Sequence, residues 1–281
     1  NKDEIEILKT LLTNAINNGV EDLQMLSEEE IKKIEPNINA KAAIHSPSTG
    51  IFDTHSFMKS LVSESKSRKA NIIYSTELIG VDKSKDGFKI SVREDAGETF
   101  KFYTRVVINC AGLFSDKVAA MVGINEGEYR LKYCKGDYFR VHGSGTNLIK
   151  HLIYPVPKEK RGGLGIHVTL DLAGGVRLGP DDEYINHINY DIVDSKREDF
   201  YADVRSFLSF VNPKDLQPDT SGIRPKLQGP NEGFRDFLIK DEAEKGLPGF
   251  INLIGIESPG LTASISIAKM VTKIVSQAFK P

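Results

Sequence analysis

Arg105–Gly123 reads RVVINCAGLFSDKVAAMVG, and its order of residue types decides the fold class. Val106, Val107 and Ile108 are β-branched and contiguous, the composition of a strand covered on both faces. Cys110 belongs to the same run and is expected in the core. Ala111 and Gly112 then put two small residues where the strand ends, and Ser115 and Asp116 offer side chains that cap free amides. The spacing of Val118, Ala119 and Val122 predicts a short helix that stops at Gly123. Strand, turn and helix in this order are the unit of α/β folds. The CAGLFSD turn (110–116) admits two readings. It is either a plain connection or bare backbone at a helix start, where a flat ligand and its phosphate can approach.

The same grammar returns near the end of the chain. FINLIGI (250–256) predicts a second apolar strand, and GIESPGLTASISIA (255–268) opens a helix expected over 258–278. An ordinary cap needs one hydroxyl and one glycine. Here Gly255 and Gly260 flank Ser258 and Pro259, and Thr262 and Ser264 follow. The alternatives are an elaborate cap or amides kept bare to face a ligand oxygen. SGIRP (221–225) holds Arg224 between a flexible glycine and a fixed proline. That suits a surface ion pair, a bidentate grip on a carboxylate, or a place beside a negatively charged ring. His167, in GLGIHVT (163–169), is either a hydrogen-bonded structural residue or a base in a crowded site. His55 and His187 read as surface residues.

Around these motifs, apolar spacing predicts a helix over 3–18 ending at Gly19 and a second beginning at Ser27 with Glu30 completing a capping box. A third helix is expected over 55–68, capped by Asp53 or Thr54, and a fourth over 194–211. NIIYSTELIGVDK and FKISVRED are strands joined by a turn at Lys85-Asp86-Gly87. KGDYFRV, HLIYPVP, GLGIHVTLD and GGVRLGPDD predict a mostly antiparallel sheet between 130 and 190, and further strands fall near 235–240 and 250–256. The order α/β, then β-rich, then α/β implies two interleaved domains.

Across 281 residues, 37 Lys and Arg balance 39 Asp and Glu without segregating, so there is no basic footprint for nucleic acid or anionic lipid. No apolar run approaches the roughly 20 residues of a membrane span, and residue 1 opens no basic-then-apolar leader. A soluble, cytoplasmic protein is expected, with peripheral membrane contact or a mitochondrial location left open. Cys110 and Cys134 have neither CxxC spacing nor a histidine cluster nearby, so no disulfide framework and no metal site are expected. The sequence contains no GxGxxG, P-loop or GxSxG.

Together, PSTGIFD (47–53), VVINCAGLFSD (106–116), KGDYF (135–139), IYPVP (153–157), GLGIHVT, RLGP (177–180), SGIRP and GIESPGLTASISIA resemble the FAD-dependent oxidoreductases of the D-amino-acid-oxidase-like superfamily. Within it the chain is most similar to the L-2-hydroxyglutarate dehydrogenase or oxidase group. IYPVP, GLGIHVT and RLGP carry most of that specificity. CAGLFSD and the TGI-x-D turn are shared with glycerol-3-phosphate dehydrogenases and amine oxidases. The likeness implies a mixed α/β (α+β) fold in which an incomplete Rossmann-like FAD-binding domain, 52–128 and 212–281, is interleaved with a mostly antiparallel substrate domain, 1–51 and 129–211. Such proteins begin with a strand, GxGxxG and a helix, so this chain is expected to be the remainder of such an enzyme.

The resemblance also implies chemistry: hydride transfer from C2 of a small-molecule 2-hydroxy acid, L-2-hydroxyglutarate first, to FAD. Glycerol 3-phosphate or an amino acid is the alternative substrate, and a non-catalytic module is the reading of a different kind. His167 is implied as the base or hydroxyl-orienting residue, and Arg224 as a partner of the flavin or of a substrate carboxylate. Tyr154 and Lys135 are implied to line the substrate cleft. Arg177 is added as a second carboxylate clamp at a position the family pattern does not fix. Leu78 would meet the adenine through its backbone. Ala111, Gly112, Gly222, Gly255, Ile256, Glu257, Ser258, Pro259, Gly260, Leu261 and Thr262 would line the flavin and its phosphates. The electron acceptor and oligomeric state stay unassigned.

Overall fold

Local capping sets the helix starts in the first third of the chain. Ser27 Oγ accepts from the Glu30 amide at 3.4 Å while the Glu30 carboxylate accepts from the Ser27 amide at 2.8 Å, the expected capping box. Asp53 Oδ1 accepts from the amides of His55 (2.9 Å) and Ser56 (3.0 Å), fixing the start of the third helix. These features belong to a computed structural model that describes residues 2–143, 148–157 and 165–278. Gly163 and Leu164 of GLGIHVT lie outside the described residues.

In chain order the main elements are α1 (Lys2–Asn17), β1 (Gln24–Ser27), α2 (Glu28–Ile34), β2 (Ala42–His45), α3 (Thr54–Ser67), β3 (Thr76–Ser84), β4 (Gly87–Glu94), β5 (Thr99–Thr104) and β6 (Val107–Asn109). Then come α4 (Ser115–Met121), β7 (Lys132–Val141), β8 (His167–Leu170), β9 (Val176–Gly179), β10 (Glu183–Ile185), α5 (Arg197–Val204), β11 (Leu216–Lys226), β12 (Leu238–Glu242), β13 (Leu247–Ile254) and α6 (Ser264–Ala278). The chain forms two compact units. The first comprises residues 1–63, 136–183 and 190–222, and the second 64–135, 184–189 and 223–281.

In the first unit, alternation along the strands separates a core face from a polar face. Phe139, Val141, Val168, Val176 and Leu178 point one way and pack with Phe200, Val204, Leu208 and Ile31. Antiparallel β8 and β9 pair Val168 with Leu178 and Thr169 with Arg177, and β7 pairs Arg140 with Arg177. The sheet order is β10-β7-β9-β8, with β11 beside β7.

In the second unit, β3, β4 and β5 form an antiparallel meander whose two-residue hairpin loop lies between Ser84 and Gly87. A second sheet runs β12-β13-β6, and β13 and β6 are parallel. Phe250 and Ile254 of β13 pack with Val81, Phe88 and Val118, while Ile251 and Leu253 pack with Val271 of α6 and the partly buried Ile267 and Ile274. The strand covered on both faces is therefore β13.

That last point corrects the expectation for 105–110. Among the described residues β6 has only β13 beside it, Ile108 is 45% exposed, and Cys110 is exposed, outside the core. Other local expectations also give way. In HLIYPVP only Ile153 bridges a strand, at Val168, because Pro155 and Pro157 have no N–H to offer. NIIY is not a strand, since β3 starts only after Ser75, at φ 53°. The helix expected over 194–211 is a 3₁₀ turn followed by α5, which stops at Val204. Phe200, Val204, Leu208 and Val211 keep their spacing because all four enter one core, and the Leu208 amide still reaches the Val204 carbonyl at 2.9 Å. Strand β11 was masked in the sequence by Pro218 and Pro225. Residues 258–263 form a turn, so α6 begins at Ser264. No described helix is long and apolar enough to cross a membrane.

Candidate functional site

His167 opens β8 on the polar face of the first unit and is buried, 6% exposed. Its Nδ1 lies 3.1 Å from the Gly165 carbonyl oxygen. A carbonyl only accepts, so Nδ1 carries the proton, and in the neutral ring Nε2 is the basic nitrogen. The ring is held a second time by Tyr154, stacked at 4.2 Å between centroids with 17° between planes. Tyr154 is half exposed, and burial of the rest pushes its phenol pKa up, so it stays a neutral wall.

Two positions along the same face, Arg177 stands opposite Thr169 and Arg140. Arg177 Nε lies 2.6 Å from Asp219 Oδ2, and Arg140 Nε lies 3.3 Å from Asp219 Oδ1. Arg140 Nη1 donates to Asp171 Oδ2 at 2.9 Å. Asp171 is itself fixed by the amides of Ala173 (2.9 Å) and Gly175 (2.8 Å). The Arg140 hydrogen bond, then the Gly175 amide, hold the Asp171 carboxyl below the usual carboxylate value. A Cβ at Gly175 would lie 2.5 Å from Arg140 Nη1, so a side chain there would push against the Arg140–Asp171 pair.

A cavity of about 410 Å³ in this unit is lined by Asp181, Lys196, Asp199 and Asp203 and contains none of the expected site residues. Lys196 Nζ there bridges Asp137 (2.7 Å), Asp181 (2.9 Å) and Glu183 (2.7 Å), which reads as a structural clasp. Among the described residues no cluster has metal-ligand geometry.

In the second unit, Ala111 and Gly112 follow β6, which ends at Asn109, and lead through a 3₁₀ turn into α4. Gly112 has φ 55°, and a Cβ there would meet open space. The turn is shaped from beneath by Asn109. Its Nδ2 donates to the Ser115 carbonyl (2.7 Å) and to Asn252 Oδ1 (2.8 Å), and its Oδ1 accepts from the Ala111 amide (3.3 Å). Asn252 Nδ2 passes the network to Glu242 Oε1 (2.8 Å), and Tyr129 donates to Glu242 Oε2 (2.9 Å). Burial first, then this bond to Glu242, push the Tyr129 phenol pKa up. Sequence reasoning missed this network. The available signal was one asparagine inside each of two apolar strands, since a buried amide needs partners.

The GIESPGLT turn is packed more tightly than a bare ligand cradle. A Cβ on Gly255, at φ 75°, would lie 2.7 Å from Leu227 Cγ, and one on Gly260 would collide with Ile256 Cγ2. Glu257 pairs with Lys226 at 3.0 Å, both about nine-tenths buried. Ile256 is partly buried against α6, whereas Ser258, Pro259, Leu261 and Thr262 are exposed. Gly222, at the end of the first unit, faces open space. Leu78 pairs with Val92 just before a bulge at Ile79. Lys135 is buried on β7. Arg224 on β11 is partly buried and makes no ion pair or hydrogen bond among the described residues, so the surface salt bridge is not what holds it.

Comparison with known proteins fixes the lineage. The chain is 34% identical to the mitochondrial L-2-hydroxyglutarate dehydrogenase of Arabidopsis thaliana, over 95% of this chain and 62% of the plant protein. It is 30% identical to a glycerol 3-phosphate dehydrogenase of Caloramator mitchellensis, over 99% of this chain and 55% of that one. The chain thus spans less than two thirds of either relative. The fold matches the L-alpha-glycerophosphate oxidase of Mycoplasma pneumoniae with a TM-score of 0.82 and 24% identity, over 100% of this chain and 71% of that one. The family described as FAD dependent oxidoreductase, DAO, matches residues 1–274, and the chain belongs to it.

Proposed function

We propose that the chain carries the substrate-binding part and a portion of the FAD-binding part of an enzyme that oxidises a 2-hydroxy acid, L-2-hydroxyglutarate first, to the 2-oxo acid. The first unit is assigned to substrate and the second to FAD. One observation carries this reading: His167, its tautomer fixed by Gly165, shares a sheet face with Arg177, whose Nε alone is engaged. A proton acceptor and a carboxylate holder are what a hydroxy acid needs from a protein.

The residues present fit FAD. Gly112 leaves open space at the end of β6, and the Oγ atoms of Ser115 and Ser264, each first in the helix after a glycine turn, are buried without a hydrogen-bond partner among the described residues. Leu78, Ala111, Gly112, Gly222 and the exposed Ser258, Pro259, Leu261 and Thr262 of the 255–262 turn would hold it. When bound, FAD supplies the hydride acceptor. His167 Nε2 takes the hydroxyl proton, Tyr154 keeps the imidazole in plane, and Arg224 balances negative charge on the flavin or a substrate carboxylate.

Anaerobic bleaching of the flavin band tests the substrate. The full-length protein is mixed separately with L-2-hydroxyglutarate, glycerol 3-phosphate and glycine. Bleaching by the first alone bears out the reading, and bleaching by either of the others instead overturns it.

The cofactor assignment has a separate test at Gly222. A Cβ there meets open space in the fold, so thermal stability of the FAD-free Gly222→Ala protein should not fall. If flavin approaches that backbone, FAD binding weakens by about tenfold or more, equal to about 1.4 kcal/mol, in a fluorescence titration. Unchanged affinity removes Gly222 from the site.

A further inference from the structure

Resting on the substrate reading above, we infer that Asp219 and Arg140 are positioning residues that hold Arg177 for the second carboxylate of a dicarboxylate substrate. Arg177 Nε lies 2.6 Å from Asp219 Oδ2 as an ion pair without hydrogen-bond alignment, and its two terminal nitrogens have no partner among the described residues. Arg140, by contrast, has Nε and Nη1 both engaged, on Asp219 and Asp171. The order runs from backbone to ligand: the 171–175 turn fixes Asp171, Asp171 fixes Arg140, and Arg140 and Asp219 together fix Arg177. A guanidinium held at one nitrogen keeps its planar fork for a carboxylate.

The placement suits the chemistry. His167 lies two residues before Thr169, the cross-strand partner of Arg177, so the imidazole and the guanidinium are diagonal neighbours on one face. Such neighbours are about 7–8 Å apart between backbones, within reach of long side chains. A substrate whose C2 hydroxyl meets His167 then offers a carboxylate two methylenes further on to Arg177. A monocarboxylate in which hydrogen replaces that carboxylate has nothing to offer there.

Charge separates positioning from plain electrostatics. The two arginines and two aspartates sum to zero, so Asp219→Asn leaves the cluster more positive. If Asp219 acts only through its charge, a dicarboxylate should then bind more tightly. If it positions Arg177, binding should weaken.

The test is calorimetric binding of glutarate and butyrate to the full-length FAD-loaded protein. Wild type should prefer glutarate. Asp219→Asn and Arg177→Lys, which keeps the charge without the fork, should each weaken glutarate about tenfold, the worth of one charge-assisted contact, and leave butyrate unchanged. With turnover, the same variants should raise KM for L-2-hydroxyglutarate without raising it for L-2-hydroxybutyrate, and the loss should fall on KM more than on kcat. Tighter or unchanged glutarate binding in Asp219→Asn, or no wild-type preference for glutarate, overturns the inference. Failure of the wild type to oxidise L-2-hydroxyglutarate while still preferring glutarate overturns only the substrate reading.

Discussion

Replacing His167 with alanine is expected to lower kcat on L-2-hydroxyglutarate by about 10²–10⁴-fold while FAD content stays the same, the range a positioned general base contributes. The expectation rests on how tightly the ring is oriented. A carbonyl fixes its tautomer and an aromatic ring lies nearly parallel to it at 4.2 Å. A histidine that only fills space has no need of a defined tautomer. The two roles separate in the measurements. A structural residue buried to 6% exposure would cost stability when truncated, about 2–5 kcal/mol for a large buried side chain, with normal turnover in the fraction that folds. A base would cost turnover at all temperatures below the unfolding transition. His167→Gln keeps a polar side chain of similar reach without the basic nitrogen, so it should fold like wild type and remain slow. A folded, FAD-loaded Gln variant turning over at the wild-type rate would remove His167 from the mechanism.

What the sequence made legible depended on how local each cause was. The capping box at Ser27 and Glu30 involves residues three apart and could be read directly. The choice between β6 and β13 as the fully covered strand could not, because both are apolar and only distant packing decides it. Glycines posed a related difficulty. Gly255 and Gly260 read as clearance for a ligand, yet Leu227 and Ile256 crowd both, Gly112 is required by its own φ of 55°, and Gly222 has neither a crowding neighbour nor a positive φ. A glycine kept for a neighbour and one kept for a ligand look alike until that neighbour is known. His167 could be singled out from its motif, and Arg177 was added without one. Arg140, Asp171 and Asp219 were not found, since 31 and 79 residues separate Arg140 from its two partners and only strand pairing unites them.

Asn252→Leu is expected to destabilise the protein by about 3 kcal/mol, because it strands two buried polar partners at about 1–3 kcal/mol each, partly relaxed. Leucine shares the branching of asparagine but is bulkier, so some overpacking adds to the lost hydrogen bonds at this fully buried position. Asn109 Nδ2 loses an acceptor and keeps only the Ser115 carbonyl, and Glu242 Oε1 loses its donor in a fully buried position. Tyr129 still serves Oε2, but a buried carboxylate half satisfied is costlier than a buried leucine. Removing that carboxylate as well, in Asn252→Leu with Glu242→Leu, should therefore cost less than the two single changes added. A coupling of about 0.5–3 kcal/mol is usual for groups in one network. The functional consequence travels through Asn109, whose side chain holds both the Ala111 amide and the Ser115 carbonyl. With Asn252 gone, the 111–115 turn is less fixed, and FAD affinity should fall along with the unfolding midpoint. A lowered midpoint with unchanged FAD affinity would mean that the turn keeps its shape without the network. Additive single changes would mean that Asn252 and Glu242 do not share a network at all.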